Sequence, residues 1–167
     1  MAKYPVVVYG ASGYTGMLIM DWLIDQQIPF TAVARNAKRV QEMMAQRVVR
    51  LESATYEIVE AEHDVDSLVK AFKGAKVVCN TVGPFVNFGL TAVEAALKAG
   101  CHHIDTTGEQ SYMRAVRDQF GELYRQAGLL VSPSTAYMYT FAEIAAELAL
   151  ETDGIDVLET ATLCRGP

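Results

Sequence analysis

Short apolar runs alternate along the chain with longer segments in which apolar residues recur every three or four positions. The short runs are typical of buried strands, and the longer segments are typical of helices that cover one face of a sheet. The first pair is the run 6–9 followed by the segment 17–24. Further strands are predicted at 30–34, 56–60, the first part of 75–85, 102–106 and 129–132, and further helices at 37–49, 65–72, 89–99, 111–127 and 141–150. This alternation predicts an α/β fold in which a doubly wound parallel sheet carries helices on both faces.

The junction between the first predicted strand and helix has the sequence GASGYTG, with glycines at positions 10, 13 and 16. There the first N–H groups of the helix and the positive end of its dipole face the turn, and a pyrophosphate fits over them. Gly10 permits the tight turn, Gly13 lets a phosphate approach the backbone, and Gly16 lets the helix pack closely on the strand. A glycine-rich turn without a ligand is the alternative. Since strand, turn and helix agree, we predict a Rossmann-type dinucleotide site at Gly10, Ser12, Gly13, Tyr14, Thr15 and Gly16.

The residue after the second predicted strand is Arg35. It lies about 20 positions beyond the glycines, where a dinucleotide fold presents a side chain to the adenosine ribose. An acidic residue there hydrogen-bonds a free 2′-hydroxyl, whereas an arginine accommodates a 2′-phosphate. Arg35 and Asn36 are therefore predicted to contact the cofactor, and NADP(H) is favoured over NAD(H). Lys38 and Arg39 fit a solvated basic helix start, with Asn36 as its N-cap, equally well.

Two later loops also leave the carboxyl ends of predicted strands, which is the edge where ligands bind in an open α/β sheet. After the third strand, Asp64 either contacts adenine or caps the next helix, and capping is favoured because aspartate is a preferred N-cap residue. We predict the neighbouring His63 to be a surface loop residue. The loop after the fourth strand should run beside the ribose and nicotinamide, with contacts from Asn80, Thr81, Val82, Gly83 and Pro84.

No residue is assigned as the catalytic acid or base. Four polar side chains are expected near the nicotinamide, where a carboxylate or a tyrosine can take part in proton transfer: Asp105, Glu109, Tyr137 and Tyr139. The two tyrosines fit interdomain packing better than catalysis. The adjacent histidines at 102–103 should point to opposite faces of a strand, which argues against a metal site.

Composition and charge narrow the class of protein. The chain has 167 residues, of which 51% are apolar, and this suffices for one well-buried domain. A net charge of −6 without a basic block argues against nucleic acid and favours a small-molecule substrate. No run reaches the ~20 apolar residues of a membrane span. The three cysteines, Cys79, Cys101 and Cys164, share no C-x-x-C spacing, so a reducing cytoplasm is the expected location, and Cys79 should be a small buried apolar residue.

Four motifs together resemble one family: GASGYTG at 10–16, ARN at 34–36, NTVGPF at 80–85 and HIDTTGE at 103–109. In this order they are similar to the N-terminal NADP-binding domain of the saccharopine dehydrogenase-like oxidoreductases, which include trans-acting enoyl reductases. The resemblance implies NADP as cofactor and hydride transfer between its nicotinamide and a small organic substrate.

The family resemblance also implies a second, substrate-covering domain. We therefore expect the dinucleotide-binding domain to span 1–151 and a truncated second domain to begin in 152–167. Residues 155–163 alternate in polarity like a strand without its sheet. Such an edge recruits other chains, so self-association through this segment is expected, as is inactivity of the fragment alone.

Two alternatives to this reading stay open. The motif at 10–16 also resembles the opening of N-acetyl-glutamyl-phosphate reductases, which carry the reaction on a cysteine thioester. The corresponding region, 132–137, has no cysteine. The other alternative is a module that senses NADP or acts as a scaffold without turnover. Cofactor turnover by the full-length protein would distinguish an oxidoreductase from such a module.

Overall fold

The computed structural model of the chain describes residues 1–47 and 51–159. The strands are β1 (Val6–Tyr9), β2 (Phe30–Ala34), β3 (Tyr56–Glu60), β4 (Val77–Asn80), β5 (His102–Asp105) and β6 (Val131–Ser132). The helices are α1 (Tyr14–Asp25), α2 (Ala37–Arg47), α3 (Val65–Phe72), α4 (Phe85–Ala99), α5 (Gln110–Gln126) and α6 (Tyr137–Leu150). All strand pairs are parallel, in the order β3-β2-β1-β4-β5-β6. The predicted Rossmann-type architecture is confirmed.

Helices cover both faces of the sheet, as its apolar strands require. Neighbouring residues of a strand point to opposite faces. Val7 of β1 therefore packs with Phe72 of α3 in one core cluster, and Val8 packs with Met20 of α1 and Met44 of α2 in the other. β2 is buried along its whole length, which is typical of an inner strand of a parallel sheet.

The strand order reverses at β1, and this reversal positions the candidate site. β1 pairs with β2 on one side and with β4 on the other, so that Tyr9 lies between Val33 and Asn80. The crossovers after β1 and β2 run toward one edge of the sheet, whereas those after β4 and β5 run toward the opposite edge. A crevice therefore opens outside the carboxyl end of β1, where ligands bind in doubly wound sheets.

Several boundaries differ from those predicted. α4 begins at Phe85, four residues before the predicted start, because the carboxylate of Glu109 accepts hydrogen bonds from the first two N–H groups of this helix. α6 begins at Tyr137 instead of residue 141, and β6 has only two residues. Residues 48–49, the predicted end of the second helix, lie outside the described residues.

The C-terminal segment bears on the expected second domain. Residues 155–159 are exposed and form no strand, and residues 160–167 lie outside the described residues. The boundary at 151/152 stays a prediction. Within the described ranges, no helix has the length and apolar character needed to cross a membrane.

Candidate functional site

The glycine turn joins β1 to α1 with little room for side chains. Gly10 has a φ of 90°, and a Cβ on it would lie 2.5 Å from Oγ1 of Thr81. A Cβ on Gly16 would lie 2.5 Å from the carbonyl oxygen of Gly10, which confirms that this glycine lets the helix pack closely on the turn. Gly13 is the N-cap of α1 and offers no side chain to the first N–H groups of the helix. The turn therefore leaves donors and open space in the place that a phosphate group needs.

A cleft of about 250 Å³ opens beside this turn. Four loops line it, and they follow β1, β2, β3 and β4. The lining residues that the sequence predicted are Gly10, Ser12, Gly13, Arg35, Thr81, Val82 and Gly83. The lining residues that it did not predict are Tyr9, Ala34, His63 and Phe88. The site thus forms at the predicted edge of the sheet, with an additional aromatic lining.

Seven other predicted contact residues do not line the cleft: Tyr14, Thr15, Gly16, Asn36, Asp64, Asn80 and Pro84. Some of them shape the surrounding loops. Asn36 Oδ1 accepts a hydrogen bond from the N–H of Arg39 at 2.8 Å, and Asn80 Oδ1 accepts one from the N–H of Val82 at 2.9 Å. Asp64 caps α3 by accepting from the N–H of Ser67 at 2.8 Å, and this hydrogen bond lowers the pKa of its carboxyl group. The capping alternative for Asp64 matches this contact.

Arg35 lies exposed at the rim of the cleft. Within residues 1–47 and 51–159, its guanidinium group forms no salt bridge or hydrogen bond. Lys38, by contrast, lies 3.9 Å from Glu42 on the outer face of α2. Of these two cations, Arg35 is therefore the one that faces the cleft and has its donors available to an anion.

His63 lies in the loop after β3, as predicted, but it is only partly exposed and packs against other elements. Its Nδ1 lies 2.6 Å from the hydroxyl oxygen of Tyr9, its ring stacks parallel to that of Tyr9, and the ring of Phe88 meets it edge-on at 5.0 Å. Burial, followed by the nearby charge of Arg35, lowers the pKa of His63, and burial raises that of Tyr9 to about 12. Both side chains are neutral at pH 7. These contacts were not predicted because the partners of His63 come from β1 and α4, which are distant in sequence.

Asp105 is buried beneath the loops rather than open to the cleft. Its carboxylate lies 2.7 Å from the hydroxyl oxygen of Tyr112 and 3.2 Å from Nε2 of His103. It also accepts hydrogen bonds from the N–H groups of Thr107 and Ser134, both at 3.0 Å. Burial alone would raise the pKa of Asp105, but the hydrogen bonds from these four donors outweigh it and lower the pKa. Asp105 thus holds together the loops after β5 and β6.

Of the other three side chains expected near the nicotinamide, two form hydrogen bonds with the backbone and the third is exposed on α6. Glu109 accepts hydrogen bonds from the N–H groups of Phe85 and Val86, both at 2.8 Å. Tyr139 donates to the carbonyl oxygen of Gly108 at 3.3 Å, and Tyr137 is 67% exposed on α6. Glu109 therefore caps α4, so neither it nor Asp105 has a free carboxylate for proton transfer.

The histidines and cysteines outside the cleft have structural contacts. His102 Nδ1 accepts a hydrogen bond from the N–H of Leu130 at 2.9 Å, and His103 is fully buried. Burial raises the pKa of Cys79 to about 11, so its thiol stays protonated at pH 7, in keeping with the predicted apolar role. Across the described residues, no group of three or more His, Cys, Asp or Glu side chains is arranged to hold a metal ion. Cys164 lies outside them.

Comparison with known proteins decides the family. The sequence profile of the saccharopine dehydrogenase NADP-binding domain matches residues 6–131. The chain belongs to this family. Its cofactor is therefore NADP, and the predicted relationship to saccharopine dehydrogenase-like oxidoreductases is confirmed.

The relatives extend well beyond the length of this chain. A lipid droplet localized protein of Caenorhabditis elegans is 30% identical over 138 residues, covering 78% of this chain and 32% of the relative. A trans-acting enoyl reductase of Mycobacterium leprae is 30% identical over 115 residues, covering 67% of this chain and 27% of the relative. The chain thus spans about a third of the length of these curated relatives.

A solved structure supports the fold independently. The apo saccharopine dehydrogenase of Saccharomyces cerevisiae superposes with a TM-score of 0.68 at 15% identity, covering 89% of this chain and 31% of that one.

The cleft of the present chain has features that fit an NADP cofactor. The glycine turn is a cradle that a Cβ would fill, Arg35 has no anionic partner in the described part of the chain, and the buried Nε2 of His63 has no hydrogen-bond partner there.

Proposed function

We propose that this chain is the cofactor-binding part of an NADP(H)-dependent oxidoreductase and that the described cleft is where the dinucleotide binds. The observation that carries the proposal is the guanidinium group of Arg35, which has no partner among residues 1–47 and 51–159, beside the open glycine turn. When bound, the nicotinamide supplies hydride transfer to or from a small organic substrate. The N–H groups at the start of α1 would receive the pyrophosphate, and Arg35 the 2′-phosphate. The loop 81–83 would lie along the ribose on the nicotinamide side.

Replacement of Arg35 with alanine is the direct test of this proposal. We expect Arg35→Ala to weaken NADPH binding by about 1.5–3 kcal/mol in calorimetric titrations, because charge-assisted hydrogen bonds to the 2′-phosphate are lost. NADH binding should change less. Lys38→Ala is the matched control, since it removes the same charge from a side chain that faces Glu42 instead of the cleft. Equal losses for both cofactors would mean that Arg35 only stacks on adenine, and an unchanged affinity for NADPH would refute the assignment.

Hydride transfer itself is proposed for the full-length protein and not for residues 1–167 alone. The cleft is open, and an open site neither excludes water nor orients a substrate. A module that senses NADP without turnover is the second candidate. Oxidation of NADPH by the full-length protein in the presence of enoyl thioesters or imines would exclude that candidate.

A reductase of the N-acetyl-glutamyl-phosphate type would instead require an activated cysteine, and the raised pKa of Cys79 does not support that role.

Self-association is proposed for the chain in isolation. On α6, apolar side chains recur on one exposed face: Tyr137, Phe141, Ile144 and Leu148. The exposed Ile155, Val157 and Leu158 follow this helix. Exposed apolar surface of this kind promotes association. Light scattering should therefore give more copies per particle for residues 1–167 than for residues 1–151, and equal oligomeric states would exclude a contribution from the terminal segment. A cytoplasmic location is also proposed, supported by the free thiols of Cys79 and Cys101.

A further inference from the structure

Three aromatic side chains from separate elements meet at one side of the cleft. Tyr9 comes from the end of β1, His63 from the loop after β3, and Phe88 from the first turn of α4. We call these three residues the aromatic corner. Tyr9 is buried beneath it, whereas Phe88 is 38% exposed. The corner therefore has a buried inner ring, a central imidazole and a partly exposed outer ring.

The hydrogen bond between Tyr9 and His63 determines which imidazole nitrogen carries the proton. Within the described residues, Nδ1 of His63 is the hydrogen-bond partner that Tyr9 has for its hydroxyl group, at 2.6 Å. A buried hydroxyl proton needs an acceptor. Tyr9 therefore donates to Nδ1, and the neutral ring carries its own proton on Nε2. This tautomer is assigned from the hydrogen-bond network.

The Nε2 atom of His63 is the polar atom that this corner leaves unsatisfied. It is shielded from solvent and has no hydrogen-bond partner among residues 1–47 and 51–159. A buried donor without an acceptor destabilises the free protein, so a ligand that brings an acceptor recovers this free energy. The side chain that carries Nε2 lines the cleft together with Arg35.

We propose that His63 recognises the adenine ring of the bound dinucleotide, with Nε2–H donating a hydrogen bond to a ring nitrogen of the base. This inference rests on the proposed function, because it requires the dinucleotide to occupy the cleft. The surroundings favour a purine over a phosphate group as the partner. Phe88, whose ring is partly exposed at the cleft, offers an aromatic surface on which a base can stack. The lowered pKa keeps the imidazole neutral, so the charge that attracts phosphate is that of Arg35.

In this proposal, Phe88 is the ring that turns aside to admit the base. Two rings pack on His63, and of these Tyr9 is fixed in the core, while Phe88 is partly exposed on the first turn of α4. The base therefore reaches Nε2 when the side chain of Phe88 turns aside. Phe88→Ala should leave the His63 contact available, whereas a variant without the imidazole nitrogens should lose it.

The test uses two fragments of the cofactor that share adenine and differ in the 2′-phosphate: 2′,5′-ADP and 5′-AMP. Their dissociation constants are measured by NMR titration of the wild type, His63→Phe and His63→Gln. His63→Phe retains a ring without donors, and His63→Gln restores an N–H donor. Glu62→Gln is the control, since Glu62 is the exposed neighbour and does not line the cleft. We expect His63→Phe to weaken both ligands by about 3- to 10-fold, the loss of one neutral hydrogen bond. We also expect His63→Gln to regain part of this loss.

A spectroscopic readout accompanies the titration. In the free protein, the side-chain nitrogens of His63 should show a protonated Nε2 and an unprotonated Nδ1, and 5′-AMP should shift the Nε2–H resonance downfield. A loss in His63→Phe that affects 2′,5′-ADP alone would assign the contact to the 2′-phosphate and overturn the adenine assignment. Unchanged affinities for both fragments would overturn it as well. If the wild type binds neither NADPH nor these fragments, the proposed function fails; if it binds NADPH and His63→Phe binds it equally well, only this inference fails.

Discussion

Replacing Asp105 with alanine should lower the free energy of unfolding by about 3–5 kcal/mol in urea denaturation, because buried donors lose their charged acceptor. Four donors depend on this carboxylate: the side chains of His103 and Tyr112 and the N–H groups of Thr107 and Ser134. Asp105 is only 1% exposed, so water cannot replace the carboxylate without rearrangement. Asp105→Asn is the matched control. It keeps an oxygen for the two backbone N–H groups and should cost less than the alanine variant.

The contribution of Asp105 should also depend on pH. Its carboxyl pKa in the folded protein is lowered, so the carboxylate stabilises the fold at pH values above the unfolded pKa of about 4. This stabilisation is lost as pH falls through the folded pKa. The wild type should therefore lose its advantage over Asp105→Asn below about pH 4, as followed by urea denaturation across pH 2–7. A difference that stays constant across this range, or an alanine variant as stable as the wild type, would contradict the role given to Asp105.

Gly13→Val should abolish measurable NADPH binding while the fold persists. At Gly13 the backbone is extended, with φ of −90° and ψ of 167°, a conformation that valine adopts readily. The one close contact of an added Cβ is the carbonyl oxygen of Gly10 at 3.2 Å, so a shift of a few tenths of an ångström accommodates it. The rest of the side chain enters the cleft that Gly13 lines. Steric exclusion of the pyrophosphate should lower the affinity at least ~100-fold, equivalent to about 2.8 kcal/mol.

Calorimetry and circular dichroism on the same samples separate loss of binding from loss of structure. Gly121→Val on α5 is the matched control, because a Cβ there meets no atom within 4 Å and the position lies outside the cleft. This control should bind NADPH like the wild type. A folded Gly13→Val variant that retains the affinity of the wild type would show that the dinucleotide lies elsewhere.

The fold could be predicted because its signals are local. β2 occupies the predicted residues 30–34, since a run between Pro29 and Arg35 that is apolar except for Thr31 is typical of a buried strand. The same holds for the glycine turn. The start of α4 could not be predicted, because Glu109, which caps it, is 24 residues away in sequence from Phe85.

The candidate site was predicted in position but not in detail. Strand order alone brings Arg35 and the loop after β4 to the glycine turn, so these residues were found. His63 was missed, because its role comes from Tyr9 and Phe88, and no spacing in the sequence indicates that the three side chains meet. The position of Asp105 at the carboxyl edge of the sheet could be predicted from the sequence. It does not show that a serine 29 residues later and a tyrosine 7 residues later would occupy its oxygens.

On the ribosome, β1 is made long before its second neighbour. It can pair early with β2, but β4, which covers its other side, begins 71 residues after it in the chain, at Val77. At about 5–20 residues per second, translation leaves this side of β1 without its partner for roughly 4–14 s. Residues 81–83 are also absent during that interval, so NADP cannot stabilise the nascent domain while it is most exposed to aggregation. Protection in that window comes from chaperones rather than from the cofactor, and slower translation lengthens the window.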